Sequence, residues 1–124
     1  MIEITRLHHA SIIVADTGRA LAFYRGLLGL KVDDQRPDLG YPGAWLQIGT
    51  QQIHLLETDN PDANREAPQH GGRDRHIALT ISNLQSLINA LDNAGIAYTL
   101  SRSGRAALFC RDPDGNALEF IEQA

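Results

Sequence analysis

Apolar and polar positions alternate in blocks along the chain, and the blocks predict elements in a repeating order. Leu7-His8-His9-Ala10-Ser11-Ile12-Ile13-Val14-Ala15 is apolar and β-branched, as a strand should be. Asp16 and Thr17 offer helix N-caps. Ala20, Leu21, Phe23, Tyr24, Leu27 and Leu28 follow at helical spacing, and Gly29 stands where a helix would end. Three short strands come next, roughly 30–36, 44–48 and 51–57, with Gly49-Thr50 as a hairpin turn between the last two. Residues 58–74 are polar and rich in Pro and Gly, and read as a linker or mobile loop. The first pattern then returns. Residues 76–82 form a strand and Asn83 is an N-cap. Leu84, Leu87, Ile88 and Leu91 mark a helix face that Gly95 ends. Residues 96–100, 106–110 and 116–121 are three more strands, with Asp112-Pro113-Asp114-Gly115 turning the chain between the last two.

The order is therefore βαβββ, twice. Setting His9 on His76 also sets Asp16 on Asn83, and Ile53-His54-Leu55-Leu56-Glu57 lies on Leu118-Glu119-Phe120-Ile121-Glu122 with two residues of drift. Such a repeat implies a pseudo-symmetric assembly, because one unit alone cannot bury its sheet.

This register singles out four positions without reference to chemistry: His9, His54, His76 and Glu119. Each unit gives one from its first strand and one from its last, and a pseudo-twofold pairing would bring all four toward one axis. Two histidines and a carboxylate with positions left open suit divalent Fe, Mn, Ni, Co or Zn. The bland alternatives are that strand histidines merely pack and that Glu119 is a solvated edge residue. His8 and His9, as neighbours in a strand, should point to opposite faces. His70 in the linker reads as a solvated loop residue, and Cys110 as a small buried apolar one. Trp45 either lines a pocket or packs. Arg102, Arg105 and Arg111 could grip an anion, though arginines beside turns are usually solvated.

Composition narrows the function classes. At 124 residues the chain makes one compact domain or two half-size units sharing a core. A net charge of −4 argues against general nucleic-acid binding. No apolar run reaches the roughly 20 residues needed to span a membrane, and residues 1–4 lack the regions of a signal peptide. One cysteine excludes an intrachain disulfide and fits a reducing compartment. A cytoplasmic protein is expected.

His9-Ala10-Ser11-Ile12-Ile13-Val14-Ala15-Asp16, with Ala22-Phe23-Tyr24 and Leu28-Gly29-Leu30, resembles the opening of the vicinal oxygen chelate superfamily. That group holds glyoxalase I, fosfomycin resistance proteins, bleomycin resistance proteins and extradiol dioxygenases. Arg111-Asp112-Pro113-Asp114-Gly115-Asn116-Ala117-Leu118-Glu119 resembles its closing motif. The resemblance implies an α+β fold in which two βαβββ modules form a cup-shaped mixed sheet around a metal. It implies a single domain over 1–124, with module one at 1–57, a linker at 58–74 and module two at 75–124. It also implies a homodimer.

Carried over residue by residue, the resemblance makes His9, rather than His8, the first metal ligand, His76 the second and Glu119 the final carboxylate. His54 stands where the bacterial glyoxalase I pattern has a glutamate, and would be a fourth ligand or an acid/base beside Glu119. Phe109 stands where the extradiol pattern has a tyrosine ten residues before the glutamate, so the hydroxyl of that subgroup is missing. The expected function is a small metal-dependent, glyoxalase-like enzyme of lyase or isomerase type. Its small-molecule substrate would chelate a divalent ion through two oxygens. An Fe(II) extradiol dioxygenase and a non-catalytic antibiotic-binding module are the alternatives.

Overall fold

The computed structural model describes residues 1–123, and the chain divides into two compact units, Met1–Pro61 and Asp62–Ala124. In the first unit, β1 (His9–Val14) leads into α1 (Thr17–Leu21). A π-helical stretch over Ala22–Leu27 continues α1, followed by β2 (Lys31–Val32), β3 (Gly43–Ile48) and β4 (Gln51–Glu57). In the second, β5 (His76–Ile81) leads into α2 (Leu84–Ala94), then β6 (Tyr98–Leu100), β7 (Ala107–Arg111) and β8 (Ala117–Glu122). The sheets have matching orders, β1-β4-β3-β2 and β5-β8-β7-β6, each with one parallel pair, first strand to last. This is the βαβββ order expected from the hydrophobic pattern.

The register of the repeat holds to the residue. His9 pairs with Gln52 and Ser11 with His54; His76 pairs with Ala117 and Ala78 with Glu119. The same offset governs the helix starts. Asp16 Oδ1 accepts from the Arg19 amide at 2.8 Å, and Asn83 Oδ1 from the Ser86 amide at 3.0 Å. Glu57 Oε1 accepts from the Thr17 amide at 2.7 Å, and Glu122 Oε1 from the Leu84 amide at 2.9 Å. Helix N-termini leave amides unpaired and favour negative charge, so each helix start is held twice, once by its own N-cap and once by the last strand of its unit.

Each unit has its own apolar layer between helix and sheet. Val14, Tyr24, Leu46, Ile53 and Leu55 are fully buried in the first, Leu91, Leu108 and Leu118 in the second. The first helix differs from the single α-helix that its spacing predicts. Its second half winds with a five-residue hydrogen bond, Leu28 amide to Phe23 carbonyl at 2.9 Å, and the consecutive aromatics Phe23 and Tyr24 are both buried. β2 is much shorter than the 30–36 expected. After Asp33, whose amide still reaches the Trp45 carbonyl, the chain turns away through Pro37, Gly40 and Pro42. Gly95 closes α2 in the left-handed region at φ 69°, as anticipated. Among the described residues no helix is long and apolar enough to cross a membrane.

Candidate metal centre

In the second unit, His76 opens β5 and Glu119 lies mid-way along β8. Their strands pair, and a two-residue diagonal puts both side chains on one face. His76 Nε2 and Glu119 Oε1 are 3.2 Å apart. Glu119 is only 5% exposed, so it is no solvated edge residue. Its other oxygen accepts from Arg105 at 2.9 Å. Phe109, opposite Glu119 on β7, presents its ring to His76 edge-on at 5.4 Å.

Proton counting makes this pair unusual. His76 Nδ1 lies 2.8 Å from the backbone carbonyl of Asp74. A carbonyl only accepts, so Nδ1 carries a hydrogen. A neutral His76 therefore aims the lone pair of Nε2 at an ionised carboxylate, acceptor against acceptor. The arrangement is satisfied by a second ring proton or by a cation. A histidine whose far nitrogen is fixed by a carbonyl is also how protein metal ligands are usually oriented.

Asp74 is itself held. Its carboxylate accepts from Arg65 at 3.0 and 2.6 Å, from Arg111 at 2.8 Å and from the Arg75 amide at 2.9 Å. The Arg65 guanidinium, and after it Arg111, keeps the Asp74 carboxyl well below the usual carboxylate range. Arg111 also donates to the carbonyls of Gly115 and Pro68 at 2.8 and 2.6 Å. It is a structural brace rather than the solvated turn arginine expected from sequence. Residues 65, 68 and 74, all within the stretch read as a linker, are thus tied to the second unit.

In the first unit the corresponding pair is held by stacking. The rings of His9 and His54 lie 4.0 Å apart at 14°, and Trp45 covers the other face of His54 at 4.5 Å and 11°. Trp45 therefore both packs and frames the candidate site. The Gln52 amide nitrogen donates to Asp33 Oδ2 and Gln47 Oε1, each at 2.8 Å. Its oxygen is left to accept, so His54 Nε2, 2.8 Å away, is the donor. Neutral His54 then keeps its lone pair on Nδ1. Burial, followed by the nearby His9 and His8, lowers the His54 pKa and favours that neutral form. His8 does not point to the opposite face. It precedes β1, and its Nδ1 lies 2.8 Å from that of His9.

Each unit thus brings two of the four expected residues together, and among the described residues no three His, Cys, Asp or Glu side chains gather closely enough to hold an ion by themselves. The donor chemistry, two imidazoles with orientable lone pairs in one unit and an imidazole facing a carboxylate in the other, fits a divalent ion. Cys110 is buried, and burial pushes its thiol up to about 12, which removes it as a nucleophile. Asp33, Gln52 and Asp74 were not singled out from sequence, since each acts through a tertiary contact.

The family model for the Glyoxalase/Bleomycin resistance protein/Dioxygenase superfamily matches residues 6–120. The chain belongs to this superfamily. It is 29% identical to Glyoxylase I 4 of Arabidopsis thaliana, over 95% of this chain and 71% of that protein. It is 27% identical to human mitochondrial methylmalonyl-CoA epimerase, over 96% of this chain and 74% of that one. A solved structure from Bacillus anthracis, described as of the glyoxalase family, superposes with a TM-score of 0.81 at 22% identity, covering 100% of this chain and 99% of that one. The fold and family inferred from the two terminal motifs are therefore those of the superfamily, many of whose members are enzymes.

Proposed function

We propose that the chain is a divalent-metal-dependent enzyme of glyoxalase-like, lyase or isomerase type, cytoplasmic and homodimeric, acting on a small molecule that chelates through two neighbouring oxygens. The observation that carries this reading is the His76 Nε2–Glu119 Oε1 contact at 3.2 Å, in which Nε2 faces a buried carboxylate while Nδ1 is committed to the Asp74 carbonyl. His76 and Glu119 are the proposed ligands from the second unit, His9 and His54 those from the first.

The ion would polarise a substrate carbonyl and stabilise negative charge developing on its oxygen. The protein's own share of the work is positional and acid–base. The Asp74 carbonyl fixes the His76 ring, and the Gln52–Asp33 pair fixes that of His54. Glu119, buried and one bond from Arg105, is the candidate proton acceptor beside the reacting carbon. Neutral His54, with Nδ1 unprotonated, is the alternative base or the fourth ligand. The names of the two relatives, a glyoxylase I and an epimerase, support a lyase- or isomerase-type reaction over oxygenation, and Phe109 has no hydroxyl with which to assist the latter.

Elemental analysis of protein loaded with Mn, Co, Ni, Fe or Zn and then desalted tests the reading. The wild type should retain close to one ion per site, and the His9→Ala/His76→Ala double variant should retain almost none. Equal metal content in the two proteins would overturn it.

A further inference from the structure

A pocket of about 880 Å³ lies wholly within the second unit and has Glu119 and His76 on its wall. What else lines it is unexpected in an acidic chain. Arg73, Arg102 and Arg105 supply three guanidinium charges against the single carboxylate of Glu119, so the pocket is net positive while the chain as a whole carries −4. Walls of one sign in a concave surface concentrate oppositely charged solutes.

The donors there are only partly used. Arg105 gives one N–H to Glu119 Oε2 at 2.9 Å and its Nε–H to Ser103 Oγ at 3.2 Å, which leaves three of the five N–H groups of a guanidinium to offer. The side chains of Arg73 and Arg102 have no carboxylate partner among the described residues. His70 adds an independent sign. Its Nδ1 accepts from the Gly72 amide at 3.0 Å, so the hydrogen of the neutral ring is on Nε2. That Nε2 is buried and has no hydrogen-bond partner. A buried donor left unpaired is costly and is normally met by some acceptor. The glycines let it sit there. A side chain at Gly72 would crowd the His70 ring and Phe109 at 3.0–3.1 Å.

We propose that this pocket is an oxyanion-binding site, and that the substrate carries, besides its two chelating oxygens, a carboxylate or phosphoryl group held by Arg102 and Arg105 with the His70 Nε2–H as a further donor. Bidentate guanidinium recognition suits both groups. As a statement about substrate class this rests on the metal-enzyme reading above. The anion site itself is independent of the metal and is tested without it.

The test is an NMR titration of metal-stripped protein with inorganic phosphate and, separately, with acetate, each against chloride at matched ionic strength. Saturable shifts are expected at the amides of 101–105 and of Gly72, and at the His70 ring. Arg102→Gln, which removes no observed contact, and Arg105→Gln should each weaken binding by about threefold to tenfold, and the pair together should abolish saturation. Either anion binding in this way supports the site, and the tighter of the two names the group. Shifts that do not saturate, or that persist unchanged in the double variant, would overturn it. Because no metal is present, that failure would leave the metal reading standing. Loss of metal retention with anion binding intact would do the reverse.

Discussion

The two units share a scaffold and differ in the chemistry mounted on it. Across the first sheet runs the row Ser11, His54, Trp45; across the second, at the same register, runs Ala78, Glu119, Phe109. The first-strand histidines, His9 and His76, sit diagonally from the centre of each row. The contacts that hold each helix start are repeated, with Asp16 and Asn83 as caps and Glu57 and Glu122 reaching in from the last strands. The central pair is not. His9 and His54 are stacked rings, whereas His76 faces the buried carboxylate of Glu119, whose other oxygen accepts from Arg105. The difference teaches that the register of a repeat locates a site, while the non-repeated contacts around it set which atoms face which.

The comparison can be broken at its strongest point, the apolar layer that each unit builds for itself. Ile53 and Leu118 are equivalent and both buried. Ile53→Ala and Leu118→Ala should each destabilise by about 3 kcal/mol in chemical denaturation, Trp45 fluorescence reporting on the first unit. Costs differing by more than about 2 kcal/mol would show that the two layers are not packed alike.

Asp74 sharpens the contrast, because the first unit has no counterpart to its arginine brace. Asp74→Asn should cost about 1–2 kcal/mol, discounted because Arg65 and Arg111 are partly exposed. It should also change the acid limb. A carboxyl depressed in the folded state stabilises fully above its ordinary value of 3.8, and that stability is lost as pH falls below it. The variant should therefore show a shallower decline in melting temperature below about pH 4. An unchanged acid limb would mean that Asp74 does not contribute there.

Smaller still are the repeated helix tethers. Glu57→Gln and Glu122→Gln should each cost about 0.5 kcal/mol in thermal unfolding, and by similar amounts. The smallest effect expected is at Cys110. It occupies the position that Leu46 holds in the first unit, since Leu46 pairs with Ile53 and Cys110 with Leu118. Cys110→Val should be close to neutral, and the native thiol should react only slowly with a disulfide reagent at pH 8, being pushed up to about 12.

Much of this was legible in the sequence. The strand at 51–57, the caps Asp16 and Asn83, the left-handed Gly95 and the whole register follow from local spacing and turn chemistry, and the four candidate residues follow from that register. What escaped was tertiary. Arg111 reads as a turn arginine until Asp74, 37 residues earlier, is folded against it. The proton on His54 Nε2 depends on Gln52, whose own orientation is set by Asp33, 19 residues away. The π-helical stretch, within which the adjacent Phe23 and Tyr24 are both buried, is one that no spacing rule for an α-helix anticipates.

The central claim is that Nε2 of His76 is a lone pair waiting for a cation. ¹⁵N NMR of the histidine rings, followed while zinc is added to metal-stripped protein at pH 7.5 (about one unit above the ordinary histidine value), tests it most directly. The account predicts that His76 Nδ1 stays protonated throughout and that the Nε2 resonance moves from the unprotonated to the metal-bound range as one equivalent is added. An Nε2 already protonated at that pH and unmoved by zinc would show His76 and Glu119 to be a salt bridge complete in itself, and would contradict the account.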